Sequence, residues 1–140
     1  MQHLDHLSDT QQSLVLDLIS RTTHHDGTPP IAEHILLHLR YGGDKADSHL
    51  LVEKDNQVIG YAHLDQTDLV AGPCVELVVD PSYRGAGVGK ELLSEARHAQ
   101  QLAAHHQDQL QPLSTLKRLI AVFAIGDLNV AMCYRLIYFS

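Results

Sequence analysis

The amino-acid sequence predicts an α+β domain, and three observations carry that prediction. Two segments near the N-terminus repeat apolar residues at helical spacing, and two β-rich runs then flank a polar dipeptide. A glycine-rich segment joins a further strand to a further helix. With 140 residues, 44% apolar and 19% charged, the chain is expected to form a single domain over residues 1–140 around one core. Nine glycines, five prolines and the absence of a low-complexity tract argue against a fibrous or disordered chain.

Taking the elements in order, a short apolar-polar stretch around His3–Leu7 precedes Ser8, which has capping-box spacing to Gln11. Leu14, Val15, Leu18 and Ile19 then recur at helical spacing, predicting a helix over Asp9–Thr22. His24-His25-Asp26-Gly27-Thr28 reads as a turn. Pro29 suits a first helical position, and Ile31, Ile35 and Leu39 carry a second helix to the stop at Gly42-Gly43. His49–Glu53 and Val58–Leu64 read as an antiparallel hairpin closed at Asp55-Asn56. Cys74–Val79 is a strand ended by Asp80-Pro81, because proline cannot donate to a continuing ladder. Val88, Leu92, Ala96, Ala99 and Ala103 lie on one stripe of a helix of about four turns. His105–Ser114 reads as a connection, Leu119–Ile125 as a buried strand and Asn129–Ile137 as a short final helix.

Ten Lys and Arg against seventeen Asp and Glu leave a formal charge of −7, the wrong sign for a protein that neutralises a nucleic-acid backbone. No apolar run approaches the ~20 residues that span a bilayer, so a membrane role is not expected. Cys74 and Cys133 are too few for a disulfide framework, and no secretory signal opens the chain; the expected compartment is reducing cytoplasm. The eleven histidines match no zinc spacing, so no metal is expected and the histidines read as solvated or buffering groups.

The chemically informative stretch runs from Glu76 through Leu77, Val78, Val79 and Pro81 to Arg84-Gly85-Ala86-Gly87-Val88-Gly89-Lys90. Glycines at alternate positions between a strand and a helix allow backbone N–H groups to approach an anion such as a pyrophosphate, with the helix dipole adding to the attraction. Arg84 and Lys90 bring the local positive charge. A helix start that merely needs a tight turn would look the same. Two other glycine motifs fail here: Arg84 stands where a Walker A loop needs its first glycine, and Gly-x-Gly-x-Gly after a hairpin is not a dinucleotide fingerprint.

With Val79 and Pro81 in front, Arg84, Gly87 and Gly89 resemble the acyl-CoA loop of the GNAT acyltransferases, and the element order resembles theirs as well. The resemblance implies a GNAT acyl-CoA N-acyltransferase fold, a three-layer arrangement with a mixed, mostly antiparallel sheet and helices on both faces. It implies acetyl-CoA as cosubstrate, a small-molecule amine as the other substrate, and main-chain contacts from Leu77, Val78 and Val79 to the pantetheine arm. Gly85, Ala86, Gly87, Val88, Gly89 and Lys90 would cradle the pyrophosphate beside Arg84. From the N-terminus to about Gln100 the chain is most similar to the N-terminal domain of the mycothiol synthases. Leu18–Thr23, Asp26-Gly27, Pro30, Glu33 and the Glu76–Lys90 stretch carry that similarity. Those enzymes hold two GNAT domains and acetylate a cysteinyl amine of a glucosaminyl-inositol, with catalysis assigned to the second. The resemblance therefore leaves two expectations, an N-acetyltransferase and a catalytically silent acetyl-CoA-binding module. Glu33 would correspond to a substrate-contacting position, or else be a solvated helix carboxylate.

Amine acetylation needs a proton acceptor, an oxyanion donor and an acid for the leaving thiolate. Glu76, the carboxylate inside the strand, is the candidate base, although the base position of the catalytic synthase half aligns near Pro73, which cannot serve. The resemblance implies a Val78 or Val79 N–H as the oxyanion donor and Tyr134 as the acid, five residues before Phe139; a tyrosine that simply packs is the alternative. The family's closing hairpin is expected to be missing, because the chain ends at Ser140 after the expected last helix. An open strand edge should result, covered by a second copy in a homodimer or relieved by a departure from the family's arrangement near the end.

Overall fold

The computed structural model describes residues 1–41, 49–65, 74–108, 118–121 and 136–139. Local chemistry sets most element ends. Ser8 Oγ accepts the Gln11 N–H at 3.2 Å while Gln11 Oε1 accepts the Ser8 N–H at 3.0 Å, so a reciprocal capping box starts α1 (Asp9–Asp26). The helix runs four residues beyond its expected end, through His24, His25 and Asp26, because nothing in that turn breaks it. Gly27 is the first residue able to take the left-handed conformation, at φ 78°, and its N–H closes on the Thr23 carbonyl at 2.8 Å. α2 covers Glu33–Tyr41 and starts later than Pro29 suggests, since Pro30 excludes the helical conformation at the residue before it.

β1 (Gln2–Leu4), β2 (His49–Lys54) and β3 (Gln57–Asp65) form successive antiparallel pairs. Asp55 and Asn56 both have positive φ, 51° and 61°, as the tight turn between β2 and β3 requires. β4 (Cys74–Val79) keeps its predicted bounds. A single 3-10 turn, Pro81–Tyr83, then leads to α3 (Val88–Asp108). α3 continues through the His105–Asp108 stretch expected as connection, and residues 109–114 of that expectation lie outside the described residues.

The C-terminal segments depart most from expectation. β5 (Arg118–Ala121) pairs antiparallel with β6 (Leu136–Phe139), where a helix was expected to run through Leu136 and Ile137. Leu-Ile-Tyr-Phe is rich in β-formers, and β4 offers it an edge. The sheet order is β1-β2-β3-β4-β6-β5, and every described pairing is antiparallel. A closing pair of strands is thus present, and the edge expected to lie open is occupied in part. β6 meets β4 at Cys74 and Val75, so that part of the edge needs no covering second copy. Of the Leu119–Ile125 strand, residues 122–125 lie outside the described residues, as do 129–135 of the expected final helix.

Strand alternation sends side chains to two cores. α1 and α2 pack Val15, Leu18, Ile35 and Leu39 on Leu51, Val58, Tyr61 and Val78. α3 packs Leu92, Ala96 and Ala99 on Leu50, Ala62, Leu64, Val75, Leu77 and Val79. Helices on both faces of an antiparallel sheet are the three-layer α+β arrangement the sequence predicts.

Candidate functional site

The site is built along the outer edge of β4. The described pairing of β4 with β6 covers Cys74 and Val75, and among the described residues no strand lies on that edge beyond Val75. On the inner edge the β3 ladder continues, and the Asp80 N–H donates to the Ile59 carbonyl at 2.8 Å, one step past the Gly60–Val79 pair. Antiparallel ladders alternate, so Val78 and Glu76 exchange backbone bonds with Tyr61 and His63, while the amides of Leu77 and Val79 turn to the outer edge. The Val79 carbonyl, accepting from Arg84 Nε at 3.4 Å, fits that orientation. Of the expected main-chain contacts, Leu77 and Val79 present backbone groups on the outer edge, and Val78 contributes its side chain to the α1/α2 core.

The chain leaves β4 through Asp80, whose Oδ1 accepts the Ser82 N–H at 2.8 Å and whose carbonyl accepts the Tyr83 N–H at 2.9 Å. Gly85 and Gly87 follow at φ 79° and 90°, and an added Cβ at either would meet nothing within 4 Å. These two glycines serve backbone conformation beside open space. α3 makes its first bond from the Glu91 N–H to the Gly87 carbonyl at 3.0 Å, which leaves the Val88, Gly89 and Lys90 amides without intrahelical acceptors. Gly89 sits over the Val79 side chain, and Lys90 is exposed on the first turn. Residues 85–90 therefore bring two left-handed glycines to a helix start with free amides, an arrangement suited to an anion.

Arg84 does not simply add charge to this loop. Its Nη1 and Nη2 donate to the two carboxylate oxygens of Asp26, at 3.0 and 2.7 Å. Arg84 holds the Asp26 carboxyl below its ordinary range; burial pushes the other way, and His25, with Nδ1 2.9 Å from Oδ1, adds to the lowering. A parallel link joins Arg21 of α1 to Asp80, with Nε and Nη2 at 3.2 and 2.9 Å from Oδ2, and Nη2 also donates to the Val58 carbonyl at 3.1 Å. Asp17 pairs with the same guanidinium.

Glu76 is buried on the α1/α2 face, and its Oε2 accepts the Ala32 N–H at 2.9 Å, at the N-terminal end of α2. Glu33, the first residue of that helix, is exposed one position further on. The fold thus brings the candidate base and the candidate substrate contact to one helix start. Tyr134, the candidate acid, lies outside the described residues.

Not all histidines are solvated, as the sequence suggested. His49 and His63 are buried, and the His38 and His63 rings stack edge-on with centroids 4.8 Å apart. His49 Nδ1 lies 2.9 Å from the buried Tyr61 hydroxyl. Burial, helped by His38 and His6, pushes His49 down to about 4, so its ring is neutral at pH 7. Burial and the nearby Glu76 push Tyr61 well above its ordinary value, keeping the hydroxyl protonated. Gly60 is a second feature that the motif did not show. A Cβ there would stand 2.7 Å from Val88 Cγ1 and 3.0 Å from Leu92 Cδ1, so its bare backbone lets α3 seat on β3. Among the described residues no group of three or more His, Cys, Asp or Glu could hold a metal, and no helix is long and apolar enough to cross a membrane.

Comparison with known proteins agrees with the fold. Residues 45–123 match the family model of the acetyltransferase (GNAT) domain. The chain is 42% identical over 93 residues to the mycothiol acetyltransferase of Streptosporangium roseum, covering 66% of this chain and 28% of that protein. It is 46% identical over 82 residues to that of Acidothermus cellulolyticus, covering 56% and 25%. With the Streptomyces avermitilis protein of the same name, identity is 35% over 124 residues, covering 81% and 40%. The chain therefore spans well under half the length of these curated relatives.

Proposed function

We infer the function from one premise: the chain belongs to the GNAT acetyltransferase family. On that premise it binds acetyl-CoA, laying the pantetheine arm along the outer edge of β4 and the pyrophosphate on the amides of residues 85–90. It transfers the acetyl group to a primary amine of a small metabolite, and its relatives, mycothiol acetyltransferases by name, favour the acceptor that the resemblance implies, the cysteinyl amine of a glucosaminyl-inositol. The observation that carries this is the outward-turned backbone of Leu77 and Val79, beside which no described strand lies, running directly into a loop with two left-handed glycines and a helix start.

In the transfer, the amine nitrogen bonds to the thioester carbonyl carbon, the carbon–sulfur bond breaks, and the nitrogen's proton passes to a base. Glu76 fills that role, reached directly or through a water. Of the two candidate oxyanion donors, the Val79 N–H is better disposed than that of Val78, because it is turned away from the β3 ladder. Tyr134 would protonate the departing thiolate. The second reading, a silent acetyl-CoA-binding module, is favoured by the state of Glu76: its carboxylate is buried and already accepts the Ala32 N–H.

Calorimetry with acetyl-CoA tests what the two readings share. The parent should bind, and Gly87→Glu should bind at least about a hundredfold more weakly, since it places a carboxylate and a Cβ at a left-handed position facing the diphosphate. Parent binding weaker than about millimolar, unchanged by Gly87→Glu, overturns both. Thiol release with a panel of cysteinyl and aminoglycoside amines separates them. An active enzyme should lose at least about a hundredfold in turnover with Glu76→Gln, whereas no turnover above background with any amine selects the silent module.

A further inference from the structure

The Arg84 guanidinium has a carboxylate partner of its own, and that partner comes from α1. Gly27, in its left-handed conformation, ends the helix so that Asp26 is the last helical residue, a position where the helix dipole disfavours a carboxylate. The Asp26 side chain is nonetheless fully covered and takes the two Nη groups of Arg84 as a fork. Arg84 Nε is directed at the Val79 carbonyl, so all three nitrogens are engaged within the protein. The other end of the α1–α2 connection is tied as well, through the Ala32 N–H on Glu76. Residues 26–32 are thus fastened to the glycine loop at one end and to β4 at the other.

We propose that Asp26 is a positioning residue for the diphosphate-binding loop: it holds Arg84 as an internal strut that sets the course of residues 85–90, so that the loop's amides, and not the Arg84 charge, hold the ligand. This rests on the acetyl-CoA reading above and deepens it. It makes a prediction opposite in sign to that of a direct Arg84–phosphate contact. If Arg84 faced the diphosphate, removing the competing Asp26 carboxylate would strengthen binding or leave it unchanged. As a strut, Arg84 loses its anchor with Asp26, and binding weakens.

The test is calorimetric titration of CoA into the full chain for the parent, Asp26→Asn, Arg84→Gln and the double variant, each checked for folding by circular dichroism. Asp26→Asn is expected to weaken binding about tenfold and Arg84→Gln by a similar factor, with the double variant no weaker than either single one. Asp26→Glu, which keeps the charge, should recover most of the loss. Parent binding with Asp26→Asn equal or tighter overturns the strut and leaves the acetyl-CoA reading standing. Failure of the parent to bind CoA overturns both. If Asp26→Asn does not fold, the salt dependence of binding decides. The slope in Arg84→Gln should equal that of the parent, and a shallower slope, marking a lost charge on the diphosphate, overturns the proposal.

Discussion

The two faces of the central sheet are built on opposite rules. Towards α3, strands β2 to β4 present Leu50, Ala62, Leu64, Val75, Leu77 and Val79, and the helix answers with Leu92, Ala96 and Ala99. Towards α1 and α2, the same strands present Leu51 and Val78 but also His49, Tyr61, His63 and Glu76, all buried. An apolar face is satisfied by any close packing, whereas each polar group on the other face needs a particular partner. The sheet therefore keeps a plain scaffold on one side and concentrates its titratable groups on the side where α2 begins.

Substitutions can break this contrast, and the largest effect belongs to the apolar face. Leu92 is fully buried, and Leu92→Ala should cost ~2–5 kcal/mol in denaturant unfolding. A loss below about 1 kcal/mol would show the α3 face to be loosely packed. Gly60→Ala should cost ~1–3 kcal/mol, because its Cβ enters the space of Val88 and Leu92. An unchanged melting temperature would mean that α3 shifts freely on the sheet.

The remaining effect lies on the polar face and appears only with pH. His49 is faced by His38 from α2, by Tyr61 and His63 from β3, and by His6 and Asp5 from the segment before α1. Its folded-state value is near 4 against an ordinary 6.5, so between those values the unfolded chain takes up a proton that the folded one refuses. Its contribution to stability is intact above pH 6.5 and is lost as the pH falls toward 4. His49→Gln should flatten that limb of the stability profile, and an unchanged slope would show that His49 is not the group responsible.

Legibility in the sequence followed the range of the interactions. β4 was placed to the residue, since a β-rich run ended by Asp80-Pro81 leaves little choice. The Asp55-Asn56 turn and the Ser8 capping box were equally local. The end of α1 is not legible locally, because a His-His-Asp-Gly string has the composition of a turn and only Gly27 provides the stop. The C-terminal pair is not legible either, because Leu136–Phe139 acquires strand character only with β4 and β5 beside it. In the site, the residues of the glycine loop could be named in advance, but the partner of Arg84 could not.

By itself the sequence determined the parts governed by neighbouring residues: which glycines can turn left-handed, where α3 starts, and that an acidic chain with one amide-rich loop suits a small anionic ligand rather than a nucleic acid. Tertiary structure alone decided what those parts face. It set Asp26 on Arg84 across 58 residues, brought Ala32 to Glu76 across 44, and turned the amides of Leu77 and Val79 to the outer edge of β4. The physical reason is that backbone conformation depends on a few adjacent dihedrals. Pairing of charges and strand edges depends instead on which distant segments the two cores bring together.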